Sequence, residues 1–465
     1  MNHETSSANP HTAGLARFVA DLTYDRIPPE VKQRIKLLIL DSLGCAIFGT
    51  RLEWSRILMR TLGGIDATRA CGVWATGERL SAPHAALVNG TLVQSFELDD
   101  VHRQGVLHVG AVTLPPLFAV AELKSGMSGR DFLTAAVAGY EVGPRVGQCM
   151  GQEHIVQGWH SGATVGVFSA AAGAAAALKL TPEQTVHALG IAGTQSAGLM
   201  AAQFGAMVKR MHAGRSAQSG LYGALLAEQG FTGIQNVFES PYGGFCTTFS
   251  RSQDRFNLNE LTAGLGERFE TMRVSLKFYS CVGTNHTTLD SLRKMQARRP
   301  FGPDDVARIV VHASKATVEH TGWPYRPEGM TSAQLNLSYC VATLLIEGDV
   351  FVDQFTDAMV ADERRMALAK KVEVVEDPAI TALGSKFRHK VRVEVHLRDG
   401  TTMEETLESP RGSEHNFAPP SDITAKFAKL ASGVFAAKAS EHIRDLILDV
   451  DRLPDIGVLV KALQR

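Results

Sequence analysis

The spacing of apolar residues divides the chain into two parts with different predicted secondary structure. From about residue 14 to residue 265 apolar positions recur at helical intervals, and Pro28-Pro29 opens a broad apolar face over residues 30–48. Many segments of this part are rich in Ala and Gly, which lets helices approach closely, and only residues 71–75 predict a strand. Further helices are predicted at 81–96, 115–125, 129–147, 160–178, 182–193 and 215–228.

After about residue 270 the pattern becomes that of mixed strands and helices. Residues 306–312 and 390–397 alternate apolar and polar positions as half-buried strands do. Asp399-Gly400 predicts a hairpin turn after the second of these strands. Residues 332–346 and 354–367 predict helices between the strands, and the C-terminal segment is helical again.

These patterns predict a mainly α-helical protein with an inserted α+β domain. At 465 residues the chain exceeds the size at which a single hydrophobic core stops growing. We predict that residues 1–268 and 408–465 form one large all-helical domain, and residues 269–407 a smaller α/β lid domain. A small substrate is expected between the two, because ligands are preferentially enclosed at domain interfaces.

The composition is that of an ordinary globular protein, with 45% hydrophobic residues, 20% charged residues and a net charge of -1. Since no long basic or acidic run occurs, neither nucleic acid nor a membrane is an expected partner. Residues 1–13 are polar and the six cysteines lie far apart, so we expect no secretory signal, reduced thiols and a cytoplasmic location. The apolar stretch 163–178 is short for a membrane span and predicts a packed internal helix.

The usual sequence motifs of metal and nucleotide sites are missing. The sequence contains no HExxH, Walker A, GxSxG or GxGxxG pattern. His102 and His108 are not four residues apart, the helical spacing that suits two ligands of one metal. We therefore expect no cofactor and metal-free chemistry.

One short segment concentrates ionisable side chains among large apolar residues. Crowded carboxylates raise one another's pKa and an imidazole titrates near neutrality, so a partly buried cluster of this kind can move protons on and off carbon. The alternative is an acidic helix cap with solvated histidines. The ionisable residues of the segment are Glu97, Asp99, Asp100, His102 and His108.

Two helix starts add further candidates. His160 directly precedes the Ala-rich helix, where free backbone N–H groups can hold an anion, although a simple capped turn is the alternative. Lys209, Arg210, His212 and Arg215 concentrate positive charge at another helix entrance, where a solvated basic turn is the alternative.

The start of the second part of the chain carries the last candidates. Lys277 and Tyr279 lie at the predicted domain junction together with Cys281. No clear histidine and aspartate partners accompany the thiol, so Cys281 is better interpreted as an unreactive buried cysteine.

The chain resembles the MmgE/PrpD superfamily over nearly its whole length. This superfamily includes 2-methylcitrate dehydratases, cis-aconitate decarboxylases and iminodisuccinate epimerases, and the resemblance implies a helical domain, an α/β lid domain and a homodimer. It rests on the order and spacing of Glu97-Leu-Asp-Asp-Val-His102 with His108-Val-Gly, Gly139-Tyr-Glu-Val142, Gly158-Trp-His-Ser161, Lys209-Arg-Met-His-Ala-Gly214, Lys277-Phe-Tyr-Ser-Cys281, Ala333-Gln-Leu-Asn-Leu-Ser-Tyr339 and Ser409-Pro-Arg-Gly-Ser413.

The sequence also departs from the patterns of the best-known members. Family members often have Thr where this chain has Val101, and Pro commonly follows the histidine that corresponds to His108. The decarboxylases resemble one another in a histidine where this chain has Val282, whereas His286 matches a bacterial branch. The dehydratase run Asp-Tyr-Asn-Asp-Thr-Trp is absent. These departures reduce the support for both activities but not for membership of the superfamily.

We predict a metal-independent lyase or isomerase that removes a proton next to a carboxylate of a small di- or tricarboxylate, as 2-methylcitrate dehydratases or iminodisuccinate epimerases do. A cis-aconitate-type decarboxylase and a non-catalytic binding protein on the same fold are the alternatives. Fixed cations stabilise the enediolate-like charge and imidazoles transfer the proton in each of these reactions. The predicted catalytic residues are His108, His160, Asp99, Asp100 and Lys209, and the predicted substrate-binding residues are Glu97, His102, His212, Arg215, Lys277 and Tyr279.

Overall fold

The structure, a computed structural model, describes residues 9–465 apart from residues 152, 385 and 386. Residues 1–8, part of the start expected to carry no secretory signal, lie outside the described residues. Helices dominate the first part of the chain, as the apolar pattern predicts. They are Pro10–Asp21 (α1), Pro29–Gly49 (α2), Glu53–Ile65 (α3), Ala82–Val93 (α4), Val109–Lys124 (α5), Gly129–Met150 (α6), Glu153–Val156 (α7), Ser161–Thr164 (α8), Gly166–Ala177 (α9), Pro182–Gly193 (α10), Val208–Glu228 (α11), Phe245–Ser250 (α12) and Asn259–Thr262 (α13).

Some boundaries differ from the predicted ones. The helix predicted at 115–125 already begins at Val109, because burial of its apolar side chains outweighs the two prolines inside it. The helix predicted at 160–178 is interrupted at Val165. The strand predicted at 71–75 is reduced to Cys71–Gly72 (β1), paired with Arg79–Leu80 (β2).

Small residues let the central helices pack at close range. Helix α11 packs against α4, α9 and α10. A side-chain carbon added to Gly220 in α11 would lie 2.3 Å from Cβ of Ala170 in α9, so these two helices approach too closely for any residue but glycine. The Ala- and Gly-rich composition therefore has a packing function.

A four-stranded sheet organises the second part of the chain. Its strands are Val306–Ala313 (β5), Val372–Glu376 (β6), Val391–Leu397 (β7) and Thr402–Leu407 (β8), which follow the short strands Val101–His102 (β3) and Val274–Ser275 (β4) along the chain. The strand order is β6-β5-β7-β8, with β5 parallel to β6 and antiparallel to β7. The predicted strands at 306–312 and 390–397 are thus confirmed as β5 and β7. Gly400 has a φ of 89° in the turn between β7 and β8, which confirms the predicted hairpin.

Helices cover this sheet and connect its strands. The helix predicted at 354–367 is found as two shorter helices, because the first ends at Val360 and the side chain of Asp362 caps the start of the second. The helices are Gly283–Arg298 (α14), Lys315–Thr321 (α15), Met330–Leu335 (α16), Leu337–Glu347 (α17), Asp357–Val360 (α18), Glu363–Ala369 (α19) and Pro378–Ala382 (α20).

The C-terminal helices Pro420–Ala431 (α21), Ala437–Leu448 (α22) and Gly457–Ala462 (α23) return to the first part of the chain. Helix α21 packs against α2, where Lys426 and Asp41 form a buried ion pair at 2.5 Å. The Lys426 ammonium group also donates to the carbonyl of Leu98 at 2.7 Å. The end of the chain thus holds the segment in which the ionisable residues are concentrated.

Buried apolar side chains form two clusters. One contains the helices of residues 15–278 together with residues 418–463, and the other contains the sheet, α14 and α17. Phe96 and Leu98 belong to the second cluster although they follow α4. The architecture is mainly α with a smaller α/β part, while the division at residues 268/269 and 407/408 stays a prediction. Among the described residues no helix is both long and apolar enough to cross a lipid bilayer.

The close approach of α9 and α11 can be tested by replacing Gly220 with Ala. We expect Gly220→Ala to lower the free energy of unfolding by about 1–3 kcal/mol, because the added methyl overpacks a core without space for it. Gly63→Ala in α3 is the matched control, since no atom beyond the adjacent residues and the backbone of its own helix lies within 4 Å of the added carbon. The control should gain up to about 1 kcal/mol from its better helix propensity. Urea unfolding measures both, and equal stabilities of the two variants would contradict this packing argument.

Candidate active site

A cavity of about 490 Å³ lies where several helix starts meet the segment of residues 97–108. Strand β3 in this segment pairs with β4. This pairing brings Lys277, two residues after the end of β4, to the cavity. His160 precedes α8, and Lys209 lies in the first turn of α11. Five predicted site residues line this cavity, namely Glu97, His108, His160, Lys209 and Lys277.

Glu97 is the centre of a buried ion cluster. Lys209 Nζ and Arg210 Nη1 both contact its Oε1, the second at 2.6 Å, and Lys277 Nζ lies 3.7 Å from Oε2. Burial alone would raise the pKa of Glu97, but these three cations hold it well below its usual range. The Glu97 backbone has a φ of 54°, a conformation that is unfavourable for a side-chain-bearing residue and that persists where surrounding contacts enforce it.

His108 is oriented by the neighbouring aspartate. Its Nδ1 lies 2.9 Å from Oδ2 of Asp99, which is itself fully buried. Because a carboxylate oxygen accepts hydrogen bonds, Nδ1 carries the proton and donates a hydrogen bond to Asp99. The other oxygen of Asp99 lies 3.9 Å from Lys277 Nζ. Of the two aspartates that could orient a catalytic ring, Asp99 is the one in contact with a cavity histidine.

His160 forms a contact with a second histidine, His212. Their Nδ1 atoms are 3.1 Å apart, so one ring donates to the other. Burial, followed by the positive charge of Lys209, lowers the pKa of both rings. The pair is therefore uncharged at neutral pH, with His160 on the cavity wall and His212 behind it.

Asp100 is directed away from the cavity. Its Oδ1 accepts from the backbone N–H of Gly110 at 2.9 Å, and its Oδ2 accepts from the Tyr140 hydroxyl at 2.7 Å. Burial is the largest cause that raises its pKa to about 7, and the nearby Asp99 adds to this. The contacts give Asp100 a role in holding the start of α5.

Three predicted substrate-binding residues also lie away from the cavity. His102 Nε2 is 3.0 Å from the buried carboxylate of Glu270. Arg215 is exposed on α11 and donates to a glutamine one turn further on. The Tyr279 hydroxyl donates to Asp290 at 2.6 Å inside the second apolar cluster. The structure does not bring these side chains together with the other predicted site residues.

Five ionisable residues outside the predicted site also line the cavity: Arg103, Glu319, His320, Arg388 and His389. Arg103 belongs to the ionisable segment of residues 97–108, and the others lie in segments without a recognisable motif. The only sequence feature that could have indicated these residues is the adjacent pair Arg388-His389 shortly before β7.

Two residues of uncertain role in the sequence are inaccessible in the structure. Cys281 is fully buried, and burial is the largest cause that raises the pKa of its thiol well above the usual range. His286 in α14 is buried as well, and its Nε2 lies 3.2 Å from the carbonyl oxygen of Cys281. The thiol is thus held in its unreactive protonated form.

Most of the chain matches two domains of one protein family. The MmgE/PrpD N-terminal domain matches residues 13–257, and the MmgE/PrpD C-terminal domain matches residues 279–452. The chain belongs to the MmgE/PrpD family, as the order of its motifs predicts.

Its relatives are enzymes. The chain is 36% identical to the cis-aconitate decarboxylase-like protein oryM of Aspergillus oryzae, with 97% of this chain and 96% of that protein covered. It is 34% identical to cis-aconitate decarboxylase of Aspergillus terreus, with 97% and 95% covered. It is 22% identical to the mitochondrial 2-methylcitrate dehydratase of Yarrowia lipolytica, with 98% and 92% covered. The chain is therefore an enzyme, and its family makes it a lyase.

The structural role of Asp100 can be separated from a catalytic one with Asp100→Asn. The raised pKa means that the Asp100 carboxyl favours the folded state in acid and loses this contribution as the pH rises through about 7. We expect the stability of Asp100→Asn relative to the parent to increase from pH 4 to pH 8, as measured by urea unfolding. Turnover should be retained. A large loss of turnover with no pH-dependent change in stability would support the catalytic role predicted from the sequence.

Proposed function

We propose that this enzyme decarboxylates an unsaturated tricarboxylate of the cis-aconitate type. The observation that carries this choice is the identity of 36% and 34%, over nearly the full length, to proteins named for cis-aconitate decarboxylation. The sequence alone favoured dehydration or epimerisation, with decarboxylation as the alternative. The likeness to these relatives reverses that order.

Decarboxylation breaks the bond between a carbon atom and its carboxylate group. CO2 leaves, and the electron pair remains on the conjugated carbon chain and an adjacent carboxylate. Lys209 and Lys277 support this step, because fixed cations stabilise negative charge that develops in a buried cavity. Glu97 keeps both ammonium groups in place.

A proton must then be added to carbon to complete the reaction. His108 is suited to deliver it, because its Nδ1 is held by Asp99 and its Nε2 remains for the substrate. The carboxylate of Asp99 stabilises the protonated ring before the transfer, as in other aspartate–histidine pairs. The uncharged His160 can donate a hydrogen bond to the substrate without adding another positive charge.

Dehydration of a 2-methylcitrate-type substrate is the second candidate. It is supported by the 22% identity to a 2-methylcitrate dehydratase and by the same set of cations and imidazoles. In that reaction His108 or His160 would remove a proton, and a second acid would protonate the leaving hydroxyl. The two reactions differ in the bond that breaks and thus in the pose of the substrate.

The remaining expectations concern partners and place. We propose a small polycarboxylate as the only ligand, without nucleic acid, membrane or cofactor. The homodimer implied by the family resemblance and the cytoplasmic location stay predictions.

The proposed reaction can be tested by incubating the protein with cis-aconitate in deuterated water. We expect release of CO2 and one deuterium on carbon for each CO2. His108→Gln should slow the reaction by about a hundredfold or more, the effect expected for a lost acid–base group. His160→Gln should slow it by about tenfold, the effect of losing one hydrogen bond to the substrate. Mass spectrometry and CO2 detection measure both products.

His84→Gln is the matched control for this experiment. His84 Nδ1 lies 2.7 Å from Asp66 Oδ2, a contact of the same kind away from the cavity, so this variant should turn over like the parent. Parental rates in His108→Gln would show that this histidine is not the proton donor. Conversion of 2-methylcitrate into an unsaturated product without release of CO2 would favour the dehydratase.

Metal independence can be tested by exhaustive chelation. We expect the activity to be unchanged after EDTA treatment and dialysis, because Lys209 and Lys277 provide the positive charge that a Lewis acid would otherwise supply. A sample dialysed without chelator is the control. An activity lost with EDTA and restored by a single divalent ion would contradict this expectation.

A further inference from the structure

The start of helix α14 presents backbone donors to the cavity. Val282, Gly283 and Thr284, where this helix begins, all line the cavity wall. Within the described part of the chain no group accepts from the N–H of Gly283 or of Thr284, and Val282 provides no side-chain cap. No atom beyond the adjacent residues and the backbone of its own helix lies within 4 Å of a carbon added to Gly283, so the space beside these donors is open. The first turn of a helix also carries a partial positive charge, which favours an anion there.

A buried ammonium group without a hydrogen bond lines the same cavity. Lys277 is 4% exposed, and its Nζ makes no hydrogen bond to any described residue. It lies 3.7 Å from Glu97 Oε2 and 3.9 Å from Asp99 Oδ1, both beyond hydrogen-bond distance. Burial, followed by the charge of Lys277, lowers the pKa of His286 to about 3, so this charge acts on the first turn of α14. Because a buried charged donor without an acceptor is unfavourable, Lys277 also indicates a ligand at this place.

The glutamates that line the cavity do not satisfy these donors. Glu97 is held by three cations already, and the exposed Glu319 pairs with Lys315 at 3.8 Å on α15. Neither carboxylate accepts from the first turn of α14. The Thr284 hydroxyl lies 3.4 Å from Nδ1 of His320, a contact that leaves the backbone N–H of the same residue free. An anion from the cavity could accept from the two N–H groups and from the ammonium group together.

We propose that the start of α14 and Lys277 together bind one carboxylate of the substrate, through the N–H groups of Gly283 and Thr284 and the Lys277 ammonium group. This carboxylate is one that the reaction retains. Fixed donors stabilise a carboxylate as an anion, whereas the leaving carboxylate becomes uncharged CO2. The same donors stabilise the negative charge that remains on the substrate after CO2 has left. This proposal rests on the proposed function in its choice of ligand.

The test removes one backbone donor and keeps the helix. Proline lacks the N–H group and is favoured at the first position of a helix, so Gly283→Pro deletes this donor alone. Val282 has a φ of -58° and a ψ of 138°, a conformation that suits the residue before a proline. Gly283→Ala is the matched control, because it adds a carbon atom at the same place and keeps the N–H group.

The probe is tricarballylate, a saturated tricarboxylate whose chain cannot take up the electron pair of a lost carboxylate and which is therefore not turned over. Isothermal titration calorimetry on the full chain should show binding about ten- to a hundredfold weaker in Gly283→Pro, the range for a lost hydrogen bond to a charged group. The loss in Gly283→Ala should stay below about threefold. The same order is expected for cis-aconitate on the His108→Gln background. Equal binding by the two variants, or a parent that binds neither tricarboxylate, overturns the proposed carboxylate site.

A second variant tests the free donors without proline, in case Gly283→Pro does not fold. Asparagine is a strong N-cap residue, so the side chain in Val282→Asn should accept from the Thr284 N–H. We expect this variant to raise the midpoint of thermal unfolding of the free protein and to weaken tricarballylate binding several-fold, with no change of charge. Tricarballylate binding equal to that of the parent would contradict the proposal.

The outcomes are separable from those of the proposed function. A selective loss of tricarballylate binding in Gly283→Pro supports the carboxylate site even if the parent releases no CO2 from cis-aconitate. Release of CO2 by a Gly283→Pro variant that binds both tricarboxylates like Gly283→Ala supports the proposed function and overturns this site.

Discussion

The buried carboxylate of Glu97 is the interaction on which the arrangement of the site depends. It joins three distant parts of the chain, since Lys209 and Arg210 begin α11 and Lys277 follows β4. Arg210 also donates to Gln334 in α16, which extends the cluster to the helices that cover the sheet. Removing one member of a buried ion cluster costs about 3–5 kcal/mol, because the remaining charges are left without compensation. The same contacts keep two ammonium groups fixed on the cavity wall.

Close helix packing provides the second constraint. Without a side chain at Gly220, α11 can approach α9 closely enough for the starts of α8 and α11 to meet. This places His160 and Lys209 on one wall, where burial, followed by the positive charge of Lys209, lowers the pKa of His160 and keeps the ring neutral. The neutral state of His160 thus depends on the short distance between α9 and α11, which the small residues Ala170 and Gly220 allow.

The sequence predicts those site residues that lie in short segments crowded with polar groups and that also line the cavity in the folded protein. Glu97, His108 and Lys209 were found in this way, and so were the strands β5 and β7 from their alternation. Local pattern does not determine side-chain direction in irregular segments. Asp100 lies next to Asp99 in sequence, yet it binds the start of α5. Tyr279, two residues after Lys277, turns into the second apolar cluster.

The cavity residues Arg103, Arg388 and His389 show a second limit of what a local sequence pattern can predict. Arg388 and His389 lie shortly before β7, where their adjacency is the one local signal, and the pairing of the sheet and the fold of the helices around it bring them to the cavity. Arg103 belongs to the ionisable segment, but its role depends on Glu414, more than three hundred residues further along the chain. Such groups can be identified only after the tertiary structure is known.

The departures of this chain from its family's pattern also have a physical consequence at the cavity. Val101 and Val282 stand where relatives often have a threonine and where decarboxylases have a histidine, and both line the cavity. Valine side chains neither donate nor accept a hydrogen bond, so these two positions provide no polar contact to a substrate. The proposed proton transfer therefore depends on the two imidazoles His108 and His160, which line the same cavity.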